Sequence, residues 1–359
     1  MVENQADFTQ TELMLDLLRS SARGPATQAK VDVVLTAYGT QLIIRQLNIS
    51  RAVTTDQYRA LLLSLSREEM PGIAAAAASE RAKRGVEGLQ KDVWPALRWG
   101  VAHTDLLAQR IAELRALDVS AAAQRMAAGF LPEAVPLTSQ LFVVMGGRAG
   151  AATLDGNDIY FDILANSYRA DRGVTPYSSP AQVTEFFVHE MHHVGLSQII
   201  DRTRNSLKLG DRERRAFDFL SALVLEGSAS YLINGHRNIA EMRRDPIFSD
   251  SLKNGDQLLR TCEQVLRAVL EKGLDGEPYE QAITPFVGSG HHCAGAILLN
   301  AADRAGGLPS VMAVLRDPRK LLIVYNESAA GLITDSERVL LAFPSPHPAP
   351  VRARSRWRG

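Results

Sequence analysis

Residues 183–200 constrain the fold of this chain more than any other stretch. Val183, Phe186, Phe187, Leu196, Ile199 and Ile200 recur at helical spacing, which predicts a largely buried helix. Inside that apolar pattern stand His189, Glu190 and His193, in the spacing H-E-x-x-H. Residues four apart share a helix face, so both imidazoles can reach one metal ion. Glu190 lies beside that face and can act on water as general base. Two histidines and a glutamate are costly to bury without a partner, and a metal ion offsets that cost. Zinc held in this way polarises a carbonyl and activates water. His192 projects about 100° away from His193 around the helix, so it is expected behind the ligands or on the surface.

The flanking residues agree with a helix. Ser179, Pro180 and Gln182 form a capping-box pattern at the head of the motif helix. Upstream, Leu141 to Met145 reads as a strand, Gly146-Gly147 as a break, Asp155-Gly156 as a turn and Asp158 to Ile163 as a second strand. An edge strand of such a sheet can pair with an extended substrate backbone.

A zinc ion that activates water needs a third protein ligand. A third histidine in the spacing H-E-x-x-H-x-x-G-x-x-H is excluded. Gly195 comes one residue too early, and Ile199 stands where that histidine would be. A glutamate downstream fits instead. Asp211 to Asn234 reads as one long helix, capped by Asp211 and ended at Asn234-Gly235. Within it Glu226 is followed by Gly227, Ser228, Ala229 and Ser230, small residues that let two helices approach closely, and then by Tyr231. A carboxylate in that setting needs a compensating charge. Asp218 is the second choice, and Glu185, Asp201 and Glu213 remain as alternatives. Tyr231, His291 and His292 are candidate donors to a developing oxyanion. Cys293 lacks an orienting partner in sequence and is not read as a nucleophile.

H-E-x-x-H followed by E-G-x-A-x-Y resembles the gluzincin branch of zinc peptidases. More narrowly, it resembles a bacterial domain family of zinc-dependent peptidases of unknown function. The motifs that carry the resemblance lie within residues 140–235. It implies His189, His193 and Glu226 as zinc ligands, Glu190 as base, and peptides or proteins as substrates. Two departures stand out. No G-x-M-E-N stretch precedes the motif, and Ser230 occupies the place, four residues after Glu226, where thermolysin-like members carry an aspartate that orients a histidine.

The rest of the chain frames this core. Periodicity predicts helices over Phe8–Ser20, Gln28–Leu47, Thr54–Ser66, Gly72–Gln90 and Trp94–Leu117, and again through residues 250–325. The expected fold is mostly α with a small β-sheet, zincin-like in arrangement. Its parts are an N-terminal helical region (1–130), a catalytic core (131–235), a C-terminal helical region (236–342) and a disordered Pro- and Arg-rich tail (343–359). Lys plus Arg and Asp plus Glu number 40 each, so net charge gives no support for a nucleic-acid partner. With only Cys262 and Cys293, a disulfide scaffold is excluded. No apolar run reaches the ~18 residues of a membrane span. The polar start of the chain lacks the pattern of a signal peptide, which leads us to expect a cytoplasmic protein. Two other readings remain open: a non-catalytic helical binding protein with a remnant metal site, and a zinc hydrolase of a non-peptide bond.

Overall fold

The computed structural model describes residues 6–73, 80–147, 151–154, 158–173 and 179–327. Residues 74–79 of the expected helix Gly72–Gln90, the turn at 155–156 and the tail at 343–359 lie outside them. Contacts divide the chain into two compact units. The first comprises Met1–Phe130, Ala134–Gly195 and Asp245–Ile247. The second comprises Leu131–Glu133, Leu196–Arg244 and Phe248–Gly359. The architecture is mostly α with one small sheet, as expected from the sequence.

In the first unit, helices Thr9–Ser21, Gln28–Thr36, Tyr38–Arg51 and Thr55–Leu63 are followed by Glu80–Gly88, Trp94–Ala102, Thr104–Ala116 and Val119–Gly129. Their caps follow from local chemistry. Thr27 accepts from the Lys30 amide, and Thr54 and Gln57 close a full capping box. Two helices read as continuous are broken. Ala37 is extended (φ −63°, ψ 135°) and splits Gln28–Leu47, while His103 leaves helical geometry and splits Trp94–Leu117. Neither break carries a Gly or Pro, so periodicity runs straight through it.

Three strands form the sheet: β1 (Leu141–Val144), β2 (Ala151–Leu154) and β3 (Asp158–Asp162). β3 is central, parallel to β1 and antiparallel to β2. Asp162 ends β3 and caps the helix Ile163–Asp171. One carboxylate oxygen accepts from Ala165 N (2.9 Å) and the other from Gly146 N (2.9 Å). The carboxylate is fully buried, and two backbone donors supply the partners it needs.

The outer edge of β1 is closed by the chain's own beginning. Asp7 N donates to Leu141 O (2.7 Å), and Val143 N donates to Asp7 O (2.9 Å). The Gln10 amide brackets Met145, donating to its oxygen at 2.9 Å and accepting from its nitrogen at 2.7 Å. Thr11 Oγ1 donates to Val143 O. An edge so paired cannot receive another strand, which leaves β2 as the sheet's other edge.

The second unit is built around Asp211–Ser228, which continues as a π-helical turn, Ala229–Asn234, and packs against Ser289–Arg316. Asp211 is the first helical residue rather than the cap. Gly210 takes the cap position, and the Glu213 carboxylate accepts from its amide at 3.0 Å. The stretch Asp211–Asn234 is long and apolar enough to cross a membrane, but 78% of its apolar window is buried inside the protein, as in a core helix. Ser289–Arg316 is kinked at Gly306 and Gly307, where the backbone leaves helical geometry.

Candidate metal centre

The motif sits on the helix Pro180–Ser206. Its head is held as the sequence implied: Ser179 N donates to Gln182 Oε1 (3.0 Å), and Gln182 N donates to Ser179 Oγ (3.4 Å). Phe186 and Phe187 fasten the helix to the sheet. Their rings lie 5.1 and 5.8 Å from that of Phe161 on β3, in tilted, edge-on arrangements. Anchored this way, His189 is buried and Glu190 and His193 are half-buried. The His189 and His193 rings are 4.6 Å apart and nearly perpendicular, at 89°. The two rings therefore lie on one helix face, as the i, i+4 spacing requires.

His192 departs from expectation. It is fully buried, neither behind a ligand in hydrogen-bond contact nor on the surface. Neither of its ring nitrogens has a hydrogen-bond partner among the described residues. Burial first, and His193 second, push its pKa down to about 3, so the ring is neutral.

In the second unit Glu226 meets a histidine. Glu226 Oε2 lies 3.2 Å from His292 Nε2, and His292 Nδ1 lies 2.8 Å from Ser230 Oγ. The His292 ring also faces the Phe248 ring, with centroids 5.5 Å apart. Two glycines make this meeting possible. A Cβ on Gly227 would fall 2.4 Å from Gly295 Cα, and one on Gly295 would fall 1.9 Å from Leu223 O. The helices therefore touch backbone to backbone directly after Glu226, as only glycine permits. The sequence pointed to close approach after Glu226, but not to Gly295 as its counterpart. Nor did it single out Ser230 as the partner of His292. The only signal was the small-residue run Gly288-Ser-Gly and Ala294-Gly295 around the paired histidines.

The other candidates have separate engagements. His291 packs against Phe219 and Phe286, with centroids 6.2 and 5.6 Å away, and burial lowers its pKa, opposed by the Glu226 charge. The Tyr231 hydroxyl donates to Asp303 Oδ2 (2.8 Å), and Arg237 donates to both oxygens of the same carboxylate (2.9 and 2.6 Å). Burial, and then Asp303, raise the Tyr231 pKa. Asp218 and Asp201 both pair with Arg204, at 3.4 and 2.9 Å, and Glu213 caps its helix. Cys293 is buried, with its thiol 3.7 Å from the Phe248 carbonyl oxygen.

Imidazole nitrogens and a carboxylate are the donors zinc takes in sites that activate water. Two perpendicular histidines on one helix, and a carboxylate already carrying an imidazole at 3.2 Å, fit that donor chemistry.

The chain belongs to the family described as "Putative zinc dependent peptidase (DUF5700)", whose model matches residues 85–332. The match takes in the H-E-x-x-H helix, Glu226 and the paired histidines. No curated protein and no solved structure matches the chain.

Proposed function

We propose that this member of a zinc-dependent family hydrolyses peptide bonds, with His189, His193 and Glu226 as zinc ligands and Glu190 as the general base. The observation that carries this reading is Glu190 standing intact beside two imidazoles that share one face of a buried helix. A purely structural metal site would need ligands but no base. On this reading residues 131–235 form a zincin-like core, whose gluzincin character rests on the glutamate that follows the H-E-x-x-H pair.

Zinc, when bound, supplies Lewis acidity that polarises the scissile carbonyl and lowers the pKa of water. The chain's residues do the rest. Glu190 takes the proton of the attacking water and returns it to the leaving amine. His291, walled by Phe219 and Phe286, is assigned as donor to the oxyanion, since a partly desolvated donor is worth more there than in water. The Tyr231 hydroxyl donates a hydrogen bond to Asp303, and so contributes by fixing the end of the glutamate helix.

The test pairs metal content with turnover. Wild type, Glu190→Gln and Glu226→Ala are purified without chelator, their zinc is measured by mass spectrometry, and each is assayed on a mixed peptide library. The reading expects one zinc in wild type, zinc without cleavage in Glu190→Gln, and loss of zinc in Glu226→Ala. Wild type without zinc refutes it. Zinc without peptide cleavage points to a different bond or to a non-catalytic role.

A further inference from the structure

We propose that His292 is itself a ligand of the metal ion, binding beside Glu226 and holding the fourth position of the shell when no substrate is present. This rests on Glu226 being a zinc ligand. Distance separates a fellow ligand from a hydrogen-bonded neighbour. Glu226 Oε2 and His292 Nε2 stand 3.2 Å apart. A charge-assisted N–H···O bond closes to about 2.7–2.9 Å. Two donors bound at about 2.0–2.1 Å to a tetrahedral zinc lie about 3.3–3.4 Å from each other. The observed spacing is nearer the second value, the edge of a zinc tetrahedron. Both atoms are of the kind zinc takes, and they are close enough to share one ion.

The far side of the ring agrees. A histidine that binds a metal through one nitrogen has the other held by an oxygen, which fixes the ring. His292 Nδ1 is 2.8 Å from Ser230 Oγ, and Ser230 is fully buried. The ring also faces Phe248, at 5.5 Å between centroids. His291, the residue before, packs instead against Phe219 and Phe286. Gly227 and Gly295 bring the two backbones into contact, directly after Glu226 on one helix and three residues past His292 on the other. Main-chain contact therefore sets the spacing of the pair, on rigid elements as a preorganised site requires. With His189, His193 and Glu226, His292 makes four protein donors. Four protein ligands close a zinc shell, whereas hydrolysis keeps one position open for water. His292 is the donor that the H-E-x-x-H pair and its glutamate do without, so it is the one that gives way.

The test uses the full-length chain loaded with one equivalent of zinc. X-ray absorption at the zinc edge counts bound imidazoles through scattering from the outer atoms of their rings. Three are expected in wild type and two in His292→Phe, a variant that keeps a ring against Phe248. Zinc affinity is measured alongside by chelator competition, with circular dichroism confirming folded protein. Removing an outer partner of a ligand weakens metal binding by about 10–100-fold, and removing a ligand should exceed that. His292→Phe is therefore expected to lose more than ~100-fold, Ser230→Ala about 10–100-fold, and His291→Ala at most a few fold. Two imidazoles in wild type overturn the proposal, whatever the variants do. So does a loss under ~100-fold in His292→Phe, which would make His292 an outer partner. An equal loss in His291→Ala overturns it too, because the effect would then be general. Two imidazoles with peptide cleavage leave the peptidase reading standing without the fourth ligand. Three imidazoles without cleavage leave the fourth ligand standing without the peptidase. A wild type that takes up no zinc overturns both.

Discussion

Replacing Gly295 with alanine tests the helix contact on which the Glu226 pair depends. The added Cβ would fall 1.9 Å from Leu223 O, 2.9 Å from Leu223 C and 2.8 Å from Gly227 Cα. Close carbon–oxygen contacts bottom out near about 3.3 Å, so the backbones must part by roughly 1.4 Å. The obstruction is main chain, and no side-chain rotation relieves it. A gap of ~0.5–1 Å already forfeits a quarter to a half of the attraction between packed atoms. Overpacking typically costs 1–3 kcal/mol, and an unyielding carbonyl puts this site at the upper end or beyond, about 3 kcal/mol or more. For a unit of this size that lowers the melting temperature by roughly 6–12 °C. The assay is thermal unfolding followed by circular dichroism, with urea midpoints as a second measure. Gly129→Ala is the control, because its Cβ would meet nothing within 4 Å. It should leave stability unchanged or raise it by up to ~1 kcal/mol. Gly227→Ala should resemble Gly295→Ala, and the double variant should cost less than the two singles together, since one separation of the helices relieves both clashes. A Gly295→Ala protein that melts within about 2 °C of wild type would refute the close-packed crossing.

Further outcomes follow from the ionisable and thiol groups. Arg237, then Tyr231, hold the Asp303 carboxyl below its ordinary pKa. The stability this gives is therefore present above the unfolded carboxylate pKa of about 4 and lost as pH falls through the lower folded value. In acid titrations of stability, Asp303→Asn should show a flatter slope below pH ~4, and Tyr231→Phe should lose about 1.5–3 kcal/mol, the range for a hydrogen bond to a charged group. His192, neutral in the fold with a pKa near 3, makes the metal-free protein lose stability as pH falls from about 6.5 toward 3, because the unfolded chain binds the proton first. His192→Phe should weaken that dependence in urea titrations at pH 7 and 5. Cys262, whose pKa burial pushes up to about 12, and the buried Cys293 should resist iodoacetamide in the folded protein and react once urea unfolds it. Labelling at the native rate expected for an exposed thiol would contradict their burial.

Local chemistry was legible in the sequence. The H-E-x-x-H spacing set two imidazoles on one helix face, the Ser179–Gln182 box opened that helix, and β-rich runs at Leu141 and Asp158 placed two strands of the sheet. Each depends on residues within a turn or two of one another, where spacing alone determines who can meet. The breaks at Ala37 and His103 escaped because neither residue is a Gly or Pro and the helical periodicity runs through them, and tertiary packing overrides so weak a local preference.

Only the tertiary structure decided which distant groups meet. Gln10 reaches Met145 across 135 positions and closes an edge that the sequence left open to substrate. His292 settles on Glu226 and Ser230, while Tyr231, one residue from Ser230, turns to Asp303 instead. The π-helical turn and the glycine crossing set those choices, through rotations of a helix face that no periodic pattern encodes. The sequence by itself determined which side chains carry the chemistry, because that depends on residue type and near spacing. The fold decided which of them touch, because that depends on how closely two backbones approach.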